Sequence, residues 1–326
     1  MYDIIVIGAG TAGMSAAIYG RRAEKTVLMI EASMYGGQII NASEVENYPG
    51  IAKIAGYQFA MNLYEQASSL GAELVSKRVI GIEDCGAYKN VMVESEEKPE
   101  ITGTKEGNSI AYQAKTVIIA TGARKRKLNV EAEQRLTGRG VSYCATCDGA
   151  FFKDKTVAVY GGGNTALGDV QYLADICKKV YLIHRREELR GSEIMVKRLQ
   201  EKDNVELMLS TVITDIQGTD KLEVIKIARS DAQGSGNPAD LTENVLPVDG
   251  LFVAIGQEPA NSEFADIIEL DEQGYIRAGE DCKTNVPGIY AAGDCRAKQV
   301  RQLTTAAADG SVAAMAAVEY IADELA

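Results

Sequence analysis

Two cysteines, Cys144-Ala-Thr-Cys147, are followed at once by Asp148. Cysteines at i and i+3 stand about one helical turn apart, close enough to form and break a disulfide reversibly. A helix N-terminus favours the thiolate, the form that attacks and leaves. Reduction of a disulfide takes up protons with its two electrons, and Asp148 is placed to shuttle one. The chain has one histidine, and its other cysteines, Cys85, Cys177, Cys282 and Cys295, are isolated. No zinc tetrahedron assembles convincingly from that set, so no metal is expected and the pair reads as a thiol–disulfide couple. The isolated cysteines read by default as small, buried apolar residues.

A second group of residues recurs. Gly8, Gly10 and Gly13 follow the apolar run Asp3 to Ile7, and Gly161, Gly163 and Ala166 follow Thr156 to Tyr160. A strand running into a glycine-rich turn and then a helix is the setting of a dinucleotide fingerprint. The first glycine makes the turn, the second lets backbone amides approach a pyrophosphate, and the third lets the helix pack on the strand. The pyrophosphate then meets the positive end of the helix.

The residue that ends the next strand separates the two copies. Thr26 to Ile30 ends at Glu31, whose carboxylate can accept hydrogen bonds from both ribose hydroxyls. The equivalent position in the second copy is His184, followed by Arg185, Arg186 and Arg190. Guanidinium groups hold the extra charge of a 2′-phosphate in a forked geometry. The first site therefore suits a dinucleotide without that phosphate, and the second suits NADP(H). A nicotinamide reduces a disulfide poorly without a carrier between them, so the first site is read as FAD. Asp294 would bond the ribityl or pyrophosphate region, and a helix starting near Gln302 to Thr305 would aim its dipole at the flavin.

The elements that must position these groups follow a repeated order. Residues 1 to about 80 read as β-α-β with a helix from Gly56 to about Gly71. Residues 73 to 114 read as an antiparallel meander with polar turns, including Glu96 to Asn108. Lys115 to Ala120 is a strand ending in Thr121-Gly122. The basic run Arg124 to Lys127 follows and reads as a solvated loop. The second β-α-β unit spans Thr156 to a helix at Ile194 to Glu201. A second antiparallel stretch, Val205 to Ile227, leads to a Gly/Ser/Pro-rich connection at Asp231 to Asp240. Gly250 to Gly256 and Pro287 to Asp294 are further strands, and an Ala-rich helix covers Ala306 to Ala322.

The expected fold is α/β, with two Rossmann-like, three-layer β/β/α nucleotide-binding domains and the second inserted in the first. The limits read as 1–114 with 248–326 for the FAD domain and 115–247 for the NADPH domain carrying the cysteine pair. Two crossings between domains make a natural hinge.

The composition permits this. A chain of 326 residues, 46% of them hydrophobic, can bury two cores. A net charge of −12 disfavours nucleic acid and anionic membrane as partners. No apolar stretch approaches a membrane span and no signal peptide is visible, so a soluble, cytoplasmic protein is expected.

Gly8-Ala-Gly-Thr-Ala-Gly13, Gly36-Gly37-Gln38, Cys144-Ala-Thr-Cys-Asp-Gly149, Gly161-Gly-Gly-Asn-Thr-Ala166, His184-Arg-Arg-Glu-Glu-Leu-Arg190, Gly293-Asp294 and Arg301-Gln302 resemble the bacterial low-molecular-weight thioredoxin reductases over the full chain. The resemblance implies NADPH-dependent reduction of the thioredoxin disulfide through FAD and the Cys144/Cys147 pair, in a homodimer whose NADPH domain rotates between two orientations. It implies an FAD site drawn from Gly8, Gly10, Thr11, Ala12, Gly13, Glu31, Gly37, Gln38, Asn47, Ala120, Thr121, Gly122, Gly293, Asp294, Arg301, Gln302 and Leu303. The NADPH site it implies is drawn from Gly161, Gly163, Asn164, Thr165, Ala166, His184, Arg185, Arg186, Arg190, Ile255 and Gly256.

Departures from the family pattern are few: Thr11 where proline is frequent, Gly168-Asp169 in place of a doubly acidic pair, and Cys295 where an apolar residue is usual. The neighbouring readings are a reductase of another thioredoxin- or glutaredoxin-like partner, a ferredoxin-fed relative and a dithiol oxidase. The arginine cluster counts against the last two.

Overall fold

The computed structural model describes residues 1–42, 44–94, 109–229 and 244–324, with the backbone alone for residues 109, 110 and 324. The predicted Asp231–Asp240 connection and the Glu96–Asn108 stretch lie outside the described residues. The chain divides into two compact units, Met1–Arg124 with Glu258–Ala326, and Lys125–Gln257, the second inserted in the first.

The first unit opens with β1 (Tyr2–Ile7), α1 (Thr11–Arg22), β2 (Val27–Glu31), α2 (Gly56–Ser69) and β3 (Glu73–Ser76). It continues with β4 (Val79–Asp84), β5 (Lys89–Glu94), β6 (Ser109–Ile119) and β7 (Ala123–Lys125), the last reaching the first crossing. In the second unit come α3 (Glu133–Leu136), β8 (Val141–Ser142), α4 (Ala145–Asp148), β9 (Thr156–Gly161), α5 (Asn164–Ala174), β10 (Lys179–Ile183) and α6 (Glu193–Gln200). There follow β11 (Val205–Met208), β12 (Thr211–Gln217), β13 (Val224–Arg229), β14 (Asn244–Pro247), β15 (Gly250–Ala254) and β16 (Gln257–Pro259), which returns the chain to the first unit. That unit closes with β17 (Ile289–Ala291) and α7 (Leu303–Glu324).

Strand order in the first unit is β3-β2-β1-β6-β5-β4, with β17 also paired to β6. The long β6 serves two sheets in one: residues 109–114 pair antiparallel with β5, and residues 117–119 pair parallel with β17. Strand β1 is apolar on both faces, and Ile4, Ile5 and Val6 are fully buried, as a central parallel strand requires. One face packs against α1 and α7; the other packs against Phe264, Ile268, Ile276 and Cys295 from the returning chain. Helices α1 and α7 cross so closely that a Cβ on Gly310 would lie 2.1 Å from the Ala12 carbonyl oxygen.

The second unit repeats the plan with the parallel order β11-β10-β9-β15-β8. Its helical face carries Val157, Val159, Leu167, Val170 and Leu173, and its other face is covered by the sheet β12-β13-β14. Each fully buried Val or Leu contributes about 2 kcal/mol through removal of apolar surface from water.

Three expectations are corrected. Residues 73–76 and 205–208 do not belong to antiparallel stretches: β3 and β11 extend the parallel sheets beside β2 and β10. Both are short, half-exposed edge strands, so they lack the unbroken buried run that marks a central parallel strand. The basic run begins as a strand rather than a loop, because β7 pairs with β16. The units change over ten residues after the predicted 114/115 and 247/248 limits, since β6 completes the first sheet and β15 completes the second.

Candidate functional site

Each sheet has a point where strand order reverses, between β1 and β6 in the first unit and between β9 and β15 in the second. Ligands of open α/β sheets bind outside the carboxyl ends of the strands at such points. The candidate residues fall there. Gly8–Gly13 join β1 to α1, and Ala120–Gly122 follow β6. Gly161–Ala166 join β9 to α5, and Ile255–Gly256 follow β15.

The glycines of each turn divide by the space around them. A Cβ on Gly8 would lie 2.4 Å from the Ala120 carbonyl oxygen, and one on Gly13 would lie 1.9 Å from the Gly8 carbonyl oxygen. A Cβ on Gly161 would lie 2.3 Å from the Ala254 carbonyl oxygen. Packing within the protein explains those three. Gly10 and Gly163 meet nothing within 4 Å, so packing does not explain them. They are the N-caps of α1 and α5, neither helix has a side-chain cap, and neither has an acid in its first turn. Backbone donors facing open space at a helix start form a phosphate cradle that a methyl group would fill.

Around the first cradle, Glu31 accepts a hydrogen bond from Ala9 N–H at 2.8 Å and one from Ser33 N–H at 2.9 Å. Its carboxylate is thereby fixed at the mouth of the turn. Gly37 and Gln38 open a short 3-10 turn, and the Gln38 side-chain amide donates to the Ala123 carbonyl. The Asn47 amide meets Gln302 Oε1 at 3.3 Å, immediately before Leu303 starts α7. Gly293 and Asp294 form a turn after β17, and Arg301 Nε reaches the Asp294 carbonyl at 3.5 Å. The half-buried, acid-ended cradle fits FAD, whose adenosine ribose carries no 2′-phosphate.

In the second unit, His184 is buried against the glycine turn; a Cβ on Gly162 would lie 2.3 Å from its ring. Burial lowers its pKa, a backbone hydrogen bond at Glu188 offsets part of the fall, and Arg185 and Arg190 add to it, so the ring is neutral and the positive charge here rests on the arginines. Arg190 N–H donates to the Gly162 carbonyl at 2.7 Å, which ties the cluster to the fingerprint. A shallow cavity of about 300 Å³ is lined by Arg186, Glu187, Glu188, Leu189 and Arg190. Asn164 Oδ1 accepts from Ser192 N–H at 2.8 Å and anchors the loop beyond. The arginine-lined cavity beside an uncapped helix fits the 2′-phosphate and pyrophosphate of NADPH.

Cys144 and Cys147 form a disulfide, with Cys144 as the N-cap of α4. Cys144 is half-buried and Cys147 exposed. Ser142 organises the group: its hydroxyl accepts from Cys144 N–H at 3.1 Å and donates to Asp148 Oδ2 at 2.5 Å. Burial raises the Asp148 pKa, and the Ser142 bond offsets part of the rise. A carboxyl held up in this way keeps its proton at higher pH than an exposed one, as a proton donor to a nearby thiolate requires.

Several residues were missed in the sequence. Asn261 is fully buried; it accepts from the Thr121 hydroxyl and donates to the Gly274 and Cys295 carbonyls, at 2.8–3.0 Å. Asp309 is buried and bonded to Arg296 and Lys298. As the lone charge between Leu303 and Val318 in an Ala-rich helix, it was a readable signal. Cys177, Cys282 and Cys295 are buried as expected, whereas Cys85 is exposed in the turn between β4 and β5. Burial pushes the Cys295 thiol up to about 11, so it is a neutral packing group beside Ile119.

Fold and site together define a two-domain dinucleotide-binding protein with a redox-active disulfide in its inserted unit. Residues 2–310 match the family described as pyridine nucleotide-disulphide oxidoreductase. Thioredoxin reductase from Listeria innocua is 40% identical over 322 residues, 98% of this chain and 94% of that protein. Thioredoxin reductase from Bacillus subtilis is 38% identical over 98% of this chain and 95% of that protein. The crystal structure of thioredoxin reductase from Streptococcus pyogenes superposes with a TM-score of 0.87 at 38% identity, covering 99% of this chain and 98% of that one. The chain belongs to the pyridine nucleotide-disulphide oxidoreductase family. No described helix is long and apolar enough to cross a membrane.

Proposed function

We propose that this protein is an NADPH-dependent, FAD-containing thioredoxin reductase. The observation that carries the reading is the Cys144–Cys147 disulfide, capped by Ser142 and Asp148, in a unit whose second cradle ends in arginines. Unit 1 is the FAD domain and unit 2 the NADPH domain. FAD, when bound, relays two electrons from the nicotinamide of NADPH to the Cys144–Cys147 disulfide.

The residues of the chain do the rest. Glu31 and the amides at the start of α1 hold the adenosine and pyrophosphate end of FAD, and Arg185, Arg186 and Arg190 select the phosphorylated ribose. Asp148 supplies a proton as the disulfide opens, and Ser142 keeps its carboxyl in place. One thiolate of the reduced pair then attacks the disulfide of thioredoxin and forms a mixed disulfide. The second displaces it, which restores Cys144–Cys147 and releases thioredoxin with two thiols.

The two chain crossings support a hinge about which the second unit rotates during turnover. Exposed Tyr19, Val312 and Met315 on α1 and α7 support a homodimer built on the first unit. A cytoplasmic location suits a dithiol enzyme that must meet reduced partners.

The test is a thioredoxin-coupled reduction assay with NADPH against NADH, run on wild type, Cys144→Ser and Cys147→Ser. Wild type is expected to be yellow and active with NADPH. Each serine variant is expected to keep FAD reducible by NADPH while losing thioredoxin reduction. An active single variant would refute the site.

A further inference from the structure

We propose that Asp309 is a positioning residue of the FAD site: it fixes the loop 293–302 in the conformation that receives the flavin nucleotide. The inference rests on the reading of the first unit as the FAD domain.

Asp309 lies on α7, and its side chain is 7% exposed. Its carboxylate accepts hydrogen bonds from Gly293 N–H at 2.9 Å, Arg296 Nε at 2.8 Å, Arg296 Nη2 at 2.8 Å and Lys298 Nζ at 2.8 Å. The arginine fork is bidentate, the strongest form of such a contact. Arg296 and Lys298 are both buried in their side chains. Glu280 is the other carboxylate on Arg296, at 3.3 Å, but its side chain is 94% exposed and screened by water. One buried carboxylate thus balances two buried cations.

The Asp309 hydrogen bonds reach the candidate site through backbone. Gly293, held by its N–H, adopts φ +82°, and a Cβ there would lie 2.8 Å from Ala12 Cβ in the first turn of α1. The turn is therefore pressed against the helix start that forms the phosphate cradle. Beyond it, Arg301 Nη2 reaches the Arg296 carbonyl at 3.4 Å, and its guanidinium stacks 4.1 Å from the Tyr275 ring. Gly293, Asp294, Arg301 and Gln302 all sit on the loop that Asp309 ties down.

A buried ion cluster is a poor source of stability compared with apolar side chains of equal volume. Its return here is one defined loop conformation. The effect of losing it belongs on nucleotide affinity as well as on folding.

The experiment uses the full chain with flavin removed, titrated with FAD by quenching of flavin fluorescence while the melting temperature of the flavin-free protein is measured alongside. Asp309→Asn is expected to raise the FAD dissociation constant about ten- to a hundredfold, the loss of one charged hydrogen-bond set. The triple variant Asp309→Leu/Arg296→Met/Lys298→Met leaves no buried charge unpaired. It is expected to melt near wild type and still bind FAD at least about tenfold more weakly. A triple variant that folds and binds FAD as wild type does overturns the inference. Wild-type protein that takes up no FAD overturns the underlying reading of the first unit instead.

Discussion

Alanine substitutions at Gly8 and Gly10, two residues apart, should have opposite consequences. Gly8 has φ +103°, and a Cβ there would lie 2.4 Å from the Ala120 carbonyl oxygen. The backbone strain costs about 1–3 kcal/mol and the overlap about as much again, for roughly 2–6 kcal/mol of lost stability. Gly10 has φ −81° and ψ −171°, an ordinary extended conformation, with nothing within 4 Å of its Cβ position. Alanine there is accommodated and should stabilise the flavin-free protein by about 0.5 kcal/mol, by restricting the unfolded chain. Its methyl group nevertheless occupies the cradle at the start of α1, so FAD affinity should fall on the order of a hundredfold, about 2.7 kcal/mol. Urea melts of the flavin-free proteins and FAD titrations measure the two effects separately. If Gly10→Ala unfolds as readily as Gly8→Ala, or binds FAD unchanged, the cradle is wrongly assigned.

Arg185→Ala with Arg186→Ala should raise KM for NADPH by about tenfold or more and leave KM for NADH nearly unchanged. Equal losses with both coenzymes would remove the 2′-phosphate reading. Asp148→Asn should slow opening and closing of the Cys144–Cys147 disulfide, measured by stopped-flow, with FAD retained; rates like those of wild type would take away its proton-carrying role. Burial pushes the Asp169 carboxyl up to about 6, with Lys125 offsetting part of the rise. The folded protein binds that proton more tightly than the unfolded chain does. Stability from this group is thus full below about pH 4 and declines as pH rises toward 6. Asp169→Asn should therefore be more stable than wild type at pH 8 by about 3 kcal/mol, with the gap closing toward pH 4. Equal melting temperatures at pH 8 would refute that account.

The candidate site was legible because its residues follow local patterns. A glycine turn between strand and helix, an acid or arginines ending the next strand, and a cysteine pair one turn apart all act within a few residues of chain. The errors fell where local patterns are ambiguous. β3 and β11 are short, half-exposed edge strands without a distinctive pattern of their own, and only pairing decides whether such a strand runs parallel or antiparallel. The changeover positions were misread because β6 and β15 are apolar strands that could complete either sheet. Cys85 was misjudged because a lone cysteine carries no periodic signal of its own burial.

By itself the sequence determined the doubled strand-turn-helix plan and the identity of the redox pair, and it carries the proposed distinction between the two nucleotide sites. Backbone geometry and formal charge dictate each of these locally. Only the tertiary structure decided which glycines serve packing and which leave room for a ligand. It also placed Asn261 under Thr121 and set Asp309 as the shared counter-charge of Arg296 and Lys298. Those contacts join residues far apart along the chain or on different elements, and their energies depend on removal from water, which no local pattern encodes.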